Sequence, residues 1–402
     1  MNRTTGLAFL LALGCAGPWA SAQANSIVVN STADTGSACT LRNAIDNANS
    51  NTQTHSGCAA GSGADTITFD PGVFASPQTI TVGSTLPGLT DPATTTIDGG
   101  NLVTVSGGDA VQVFWVGDLS TGAGSAVFRD IEITHGNGDG YGGGMFMTGT
   151  TLELDHVTFS NSTASFGGGG FFTQGGTTTI NDCVFAQNTM SSGTGGGLSN
   201  SGAVVVVRDS TFTGNTASSG GGGIFTGYGG SVTVTNSTFS GNSVGYYGSA
   251  IRNFKGTAMT LDYVTIAGNS TTYFSGGALD VEQDATISIS NSIVAGNTYG
   301  DCRRASTPGS GMTDAGNNFF GDTTCNGVAS GDPMLGPLSY TGGLTPTMVP
   351  VAASPVIDTA NCEAAVATGQ RGVARPQGAG CDIGAVEVEA SIFADGFELP
   401  GG

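Results

Sequence analysis

Positive charge is what this chain lacks most. Lys255 is its one lysine, ten Lys and Arg stand against thirty Asp and Glu, and the formal net charge is −20 at pH 7. So acidic a chain carries no basic stripe for nucleic acid or an anionic bilayer, and it repels polyuronates unless a cation such as calcium intervenes. Histidine is scarce too, with only His55, His135 and His156. The apolar run Leu7–Leu13 is too short to cross a bilayer. The composition, with few charges and abundant glycine, suits a repetitive β architecture and not a helical enzyme.

Glycine is abundant, 69 residues of 402, and it recurs in rhythm. An apolar column, Ile133, Phe159, Phe185, Phe212, Phe239, Ile266 and Val294, has spacings of 26, 26, 27, 27, 27 and 28 residues. Gly-Gly-Gly-apolar corners beginning at Gly142, Gly168, Gly195 and Gly221 keep the same period, with variants at Gly248 and Gly276. Between them apolar residues alternate with period 2, as strands do. One such unit cannot bury its apolar side alone, so coils must stack on a shared core. Five residues before the column stand Phe128, Leu154, Ile180, Val207, Val234, Leu261 and Ile289; three after it stand Asn188, Asn215, Asn242, Asn269 and Asn297, an amide ladder. The expected fold is all-β: a single right-handed parallel β-helix, a pectin-lyase-like solenoid, with a short N-terminal capping helix and an irregular disulfide-bearing C-terminal cap. The glycines serve tight corners; a phosphate cradle would need a following helix and usually a lysine, and has neither.

Arg3, the apolar run and the small residues Ala20-Ser-Ala22 make 1–24 a secretory leader. Seven cysteines remain, for an oxidising compartment. Cys39 and Cys58, Cys302 and Cys325, and Cys362 and Cys381 are pairs close in sequence; Cys183 is left over, two residues before the column, as an inward-facing free thiol. Leu41, Ala44, Ile45 and Ala48 lie on one face of a short helix with Thr40 as N-cap, the plug an open solenoid end requires. The stretch Cys39-Thr-Leu-Arg-Asn-Ala-Ile-Asp-Asn-Ala-Asn49, followed by Asp65-Thr-Ile-Thr-Phe69, resembles the N-terminal module of CSLREA-type secreted β-helix proteins, departing from the name motif at Thr40 and Asn43. The central repeats are similar to those of polymorphic outer-membrane proteins, which are surface adhesins and autotransporters. Asp332-Pro-Met-Leu-Gly-Pro-Leu338, Ser354-Pro-Val-Ile-Asp358, Gln370-Arg-Gly-Val-Ala-Arg-Pro376 and Cys381-Asp-Ile-Gly-Ala-Val-Glu387 together resemble the choice-of-anchor Q domain. The expected organisation is a leader over 1–24, an N-terminal cap over 25–65, coils over 66–297, the anchor-Q-like cap over 298–389 and a tail over 390–402.

Two sets of residues could carry function. Three places before the apolar column run Asp130, His156, Asp182, Asp209, Asn236, Tyr263 and Asn291. Asp182 and Asp209 on adjacent coils could share a cation, calcium being the candidate, and His156 is a base if it faces out. An Asp/Asn corner ladder bonding its own backbone is the plainer expectation. The paired Asp-Asp, Gly-His-Gly and Arg-x-Lys signatures of polygalacturonases and pectate lyases are missing. The second set precedes the glycine corners: Tyr141, Phe166, Tyr247, Tyr273 and Phe274, with Arg252 and Lys255 nearby, aromatics and cations that stack on sugars or anchor a partner. The leading expectation is a secreted or outer-membrane-associated protein without catalysis. It would use a Thr/Ser and aromatic flank to contact extracellular polysaccharide or a host or cell-surface component, with no nucleic-acid partner and no membrane span after leader removal. The alternatives are a polysaccharide lyase or glycoside hydrolase, and a structural envelope protein.

Overall fold

The computed structural model describes residues 25–118, 120–304 and 308–389; the leader expected over 1–24 and the tail over 390–402 lie outside the described residues. The described chain winds into one right-handed parallel β-solenoid whose strands form sheets of 18, 8 and 6 strands. Each coil adds two strands to the long sheet, as in Thr177–Asn181 and Val184–Ala186, which pair in register with Val204–Arg208 and Thr211–Thr213 of the next coil. The glycine corner leads into the second sheet, where Phe171–Gln174 lies on Leu198–Ser201. The narrow third sheet follows the asparagine ladder, as Thr189–Met190 on Thr216–Ala217.

In-register stacking explains the columns, since each residue lies about 4.8 Å from its counterpart. Phe159, Phe185, Phe212 and Phe239 stack with ring centroids 5.0, 4.5 and 4.8 Å apart, nearly parallel and fully buried. In the amide ladder, Asn188 Nδ2 donates to Asn215 Oδ1 at 3.0 Å and also to the Phe159 carbonyl at 2.9 Å, while that Oδ1 accepts the Asn188 backbone N–H as well. The same triple contact repeats at Asn215 and Asn242, so these buried amides are satisfied at every step. At the corner before the second sheet, Gly168 has a φ of +65°, and a Cβ on Gly169 would stand 2.5 Å from the Gly196 carbonyl of the next coil. Both positions require glycine.

Helix Leu41–Ser50 closes the N-terminal end. Thr40 accepts the Asn43 N–H, Asn51 ends the helix in the left-handed conformation, and Leu41, Ala44, Ile45 and Ala48 are buried. The Cys39–Cys58 disulfide pins the segment on both sides of it. Cys183 is free and buried. It belongs to a hydroxyl column: the Cys183 N–H donates to Ser210 Oγ at 3.0 Å as Ser210 does to Ser237, and its own sulfur accepts the Val157 N–H at 3.4 Å. Sulfur here stands in for a serine hydroxyl rather than acting as a purely apolar group.

The C-terminal region differs from expectation in two ways. The coils run past 297: Cys302–Arg304, Gly311–Asp314 and Phe319–Phe320 continue both sheets, although the Pro- and Asp-rich sequence hides the period. Cys302–Cys325 joins this last coil. The remainder, held by Cys362–Cys381, does not sit over the solenoid end as a cap. It folds back as a strap along the outer face of the long sheet, where Val356, Ala360 and Ile383 form a small core with Tyr263, Ile293 and Phe319. Outward apolar residues on those coils made this docking possible.

Candidate functional site

The first candidate column is a backbone device. Asp130, His156, Asp182, Asp209, Asn236, Tyr263 and Asn291 all adopt the left-handed conformation, with φ between 47° and 54°, and together form the bend between the two strands of each coil. Asp and Asn tolerate this region; His and Tyr do so at a cost. The side chains bond neighbours rather than their own backbone as expected. His156 Nδ1 lies 2.7 Å from Asp130 Oδ1 on the previous coil, and Asn236 Nδ2 donates to the Thr368 carbonyl of the strap. His156 faces out, beside a shallow cleft of about 250 Å³ that includes Asp130, Glu132 and Asn101. Burial and repulsion by Asp155 raise the Asp182 pKa, while His156 opposes the rise. Asp209 goes further, to about 6, through burial and the charge of Asp182. Its Oδ1 is buried without a hydrogen-bond partner among the described residues. No group of three or more His, Cys, Asp and Glu suited to a metal ion occurs among the described residues.

The strap covers much of the threonine flank expected to face solvent. Thr211, Thr238 and Thr265 are buried because their hydroxyls serve the strap. Thr211 donates to the Pro346 carbonyl at 2.6 Å, Thr238 donates to Gln370 Oε1 at 2.6 Å, and Thr265 accepts the Ala385 N–H at 3.0 Å. Thr345 Oγ1 reaches the Asp209 carbonyl at 2.8 Å, so the strap also closes over that acid. Arg375 of the strap turns inward, with its guanidinium 4.1 Å above the Tyr263 ring and 2.9 Å from Glu387.

The outer face of the second sheet is aromatic, and Phe146, Phe172 and Phe225 there are 6–7% exposed beneath the residues of the rim. Strands of the second sheet present one outward column in register: Trp115, Phe146, Phe172, Ser199, Phe225, Arg252, Asp280 and Arg303. Phe146 and Phe172 stack at 5.4 Å, Trp115 meets Phe146 edge-on at 4.6 Å, and Tyr141 lies 4.5 Å from Phe172. Tyr141 and Phe166 stand on the rim, 48% and 64% exposed. A groove of about 500 Å³ runs from Tyr141 and Phe166 past Ser199 to Tyr228 and Arg252. A second hollow of about 390 Å³ lies at Trp115, Asp139 and Tyr141.

The repeat, the parallel registers and the three-sheet coil agree with a direct comparison: the chain matches the family model of the right-handed β-helix region over residues 99–257 and again over 143–323. The chain belongs to the right-handed β-helix family. Among solved structures, this β-helix protein is similar to that described as the crystal structure of pectate lyase Pel9A, with 12% identity, a TM-score of 0.47, and coverage of 90% of this chain and 96% of that one. No curated protein matches its sequence.

The β-helix divides the second candidate set between two places. Tyr141 and Phe166 belong to the groove. Tyr247, Tyr273 and Phe274 cluster at its far end, with Tyr247 to Tyr273 at 5.4 Å and Tyr273 to Phe274 at 5.1 Å. Tyr247 packs under Arg303 at 3.7 Å and near Arg252 at 5.3 Å. Both arginines are committed to Asp280 and Glu282, with Arg252 2.6 Å from Glu282 and Arg303 3.0 Å from it. Burial pushes Asp280 up to about 6 even between these two arginines. Lys255 stands at the groove's end, its Nζ 4.7 Å from the ring of Tyr228, which lines it. Trp115, Phe146, Phe172 and Phe225 escaped the sequence reading, which followed the first residue after each glycine corner. The next residue carries the signal: period 2 turns it away from the solenoid core, where an aromatic packs only on its neighbours in the same column and on the rim.

Proposed function

We propose that this protein is a non-catalytic, extracellular polysaccharide-binding β-helix, and that its binding surface is the aromatic column of the second sheet. The observation that carries this reading is the in-register column Trp115, Phe146, Phe172 and Phe225, broken only by Ser199, whose first two aromatics line one hollow and whose last two line the adjoining groove. These aromatics face away from the solenoid core and pack on one another beneath the exposed rings of Tyr141 and Phe166, a surface on which sugar rings stack. The disulfides suit an oxidising compartment. Adhesion through the same groove to a surface glycan is the wider role, and calcium is a candidate aid only for acidic glycans.

A second reading, a lyase or hydrolase, is favoured by one specific contact. His156 is oriented by Asp130 at 2.7 Å, next to a cleft and one coil from Asp182. An envelope role without glycan remains the third reading. Retention on insoluble polysaccharides and release of unsaturated product separate them. The binding reading expects Trp115→Ala with Phe172→Ala to lower retention at least about tenfold, and His156→Ala, Asp182→Asn and Asp209→Asn to leave it unchanged with no product in any case. Product release that those three substitutions abolish would transfer the function to the corner column. Self-association without glycan retention would support the envelope role.

A further inference from the structure

Resting on the groove reading, we infer that the coil carrying Thr194 and Ser199 forms a slot for one ring of an uncharged glycan, between the rings of Phe172 and Phe225. Ser199 is the only non-aromatic member of the outward column between Trp115 and Phe225. Its two flanking aromatics are two coils apart, roughly 9.6 Å at the strand spacing. Ring contacts form at centroid separations of about 4.5–7 Å, so one six-membered ring between two platforms matches this gap.

The slot is built by paired substitutions. On the coils either side, a large aromatic is accompanied by a glycine five residues earlier, Gly167 with Phe172 and Gly220 with Phe225; in the slot coil these positions are Thr194 and Ser199. At Gly167 the reason is steric, because a Cβ there would stand 2.9 Å from the Phe172 ring; at Gly220 a Cβ would instead meet the Arg252 side chain at 2.6 Å, and one coil before Gly167 the same position holds Tyr141 beside Phe146. The hydroxyls of Thr194, Ser199 and Ser201 and the Gln174 amide line the groove. Among the described residues these four side chains make no hydrogen bond. Polar groups left free between aromatic platforms suit a hydroxyl-rich ring.

Charge selects the class. Among the described residues Arg252 lines this groove and is already paired with Asp280 and Glu282, and Lys255 stands at its end over Tyr228. Asp139 lines the neighbouring hollow, and the chain as a whole carries −20. A uronate would enter this net-negative field with only Lys255, 4.7 Å from the Tyr228 ring at the end of the groove, to meet its carboxylate. A neutral hexose chain loses nothing by entering.

The test is calorimetric titration of the full chain with cellohexaose, mannohexaose, xylohexaose and hexagalacturonate, the last with and without calcium. At least one neutral hexamer should bind and hexagalacturonate should not. Thr194→Gly with Ser199→Phe rebuilds the glycine–aromatic pair of the adjacent coils, so the chain should melt as the parent does while affinity falls at least about tenfold. Phe172→Ala should lower it similarly, by removing one wall. Unchanged affinity in the filled-slot variant, with loss in Trp115→Ala, would overturn the slot and leave the groove standing. Binding of hexagalacturonate equal to that of the neutral hexamers would overturn the charge selection alone. Failure of a natively melting chain to bind any of the saccharides would remove both the inference and the reading beneath it.

Discussion

Arg375→Met should destabilise the strap by about 3–5 kcal/mol, because it leaves the Glu387 carboxylate buried and uncompensated. Both side chains of the pair are 1% exposed. Arg375 also donates to the carbonyls of Asp382 at 3.0 Å and Gly384 at 2.9 Å and covers Tyr263, so its loss removes several contacts at once. Glu387 accepts the Gln377 and Asp382 N–H groups as well, which ties it to the two arms of the strap. Burial raises the Glu387 pKa and the charge of Arg375 opposes the rise, so loss of the arginine leaves burial less opposed. Arg375→Met combined with Glu387→Met should cost less than Arg375→Met alone, since no buried charge is then orphaned. Thermal melting and limited proteolysis over 328–389 provide the measurement. A single variant that melts and resists protease like the parent would mean that the pair does not hold the strap.

Asp209→Asn should have the opposite sign. The folded pKa is raised from 3.8 to about 6, so the folded state holds the proton more tightly than the unfolded one. The protein therefore loses stability from this group as pH rises from about 4 through about 6, and the deficit persists above. A shift of this size is worth up to about 3 kcal/mol, and partial solvent access reduces the expected gain of the variant to about 2 kcal/mol at neutral pH. Asparagine also accepts the left-handed backbone that this corner requires. Melting curves between pH 4 and pH 8 should converge at the acid end and separate with rising pH. A constant offset, or destabilisation at neutral pH, would contradict the placement of Asp209 beneath the strap.

The solenoid was legible in the sequence because in-register stacking turns a 26–28-residue spacing into physical columns. Phe159 through Phe239 and Asn188 through Asn297 lie where that spacing puts them, and the helix face at Leu41, Ala44, Ile45 and Ala48 is buried as its periodicity requires. The strap was not legible. Thr211, Thr238 and Thr265 look like solvent-facing threonines until Pro346, Gln370 and Ala385, which lie 120 to 135 residues away, bond them. No local pattern records such a pairing. The left-handed corner was half legible: Asp182, Asp209 and Asn236 are ordinary corner residues, whereas His156 and Tyr263 adopt the same backbone through neighbours that only the fold supplies. The groove fell between these cases. Tyr141 and Phe166 were recognisable as aromatics ahead of the glycine corners, but Phe146, Phe172 and Phe225 each follow a core residue directly, and nothing in the repeat marks them out.

Trp115 offers the most direct measurement of the groove. Trp19 lies in the first 24 residues, so in a chain beginning at Asn25 every tryptophan signal comes from Trp115. Its indole N–H is held by the Gly117 carbonyl at 2.8 Å and its ring rests on Phe146, which fixes it at one end of the aromatic floor. Titration with a neutral hexasaccharide that binds should shift Trp115 emission saturably, with the midpoint found calorimetrically. Binding that leaves Trp115 emission untouched, with protection appearing instead at His156 and Asp182, would place the glycan on the other face and contradict the account.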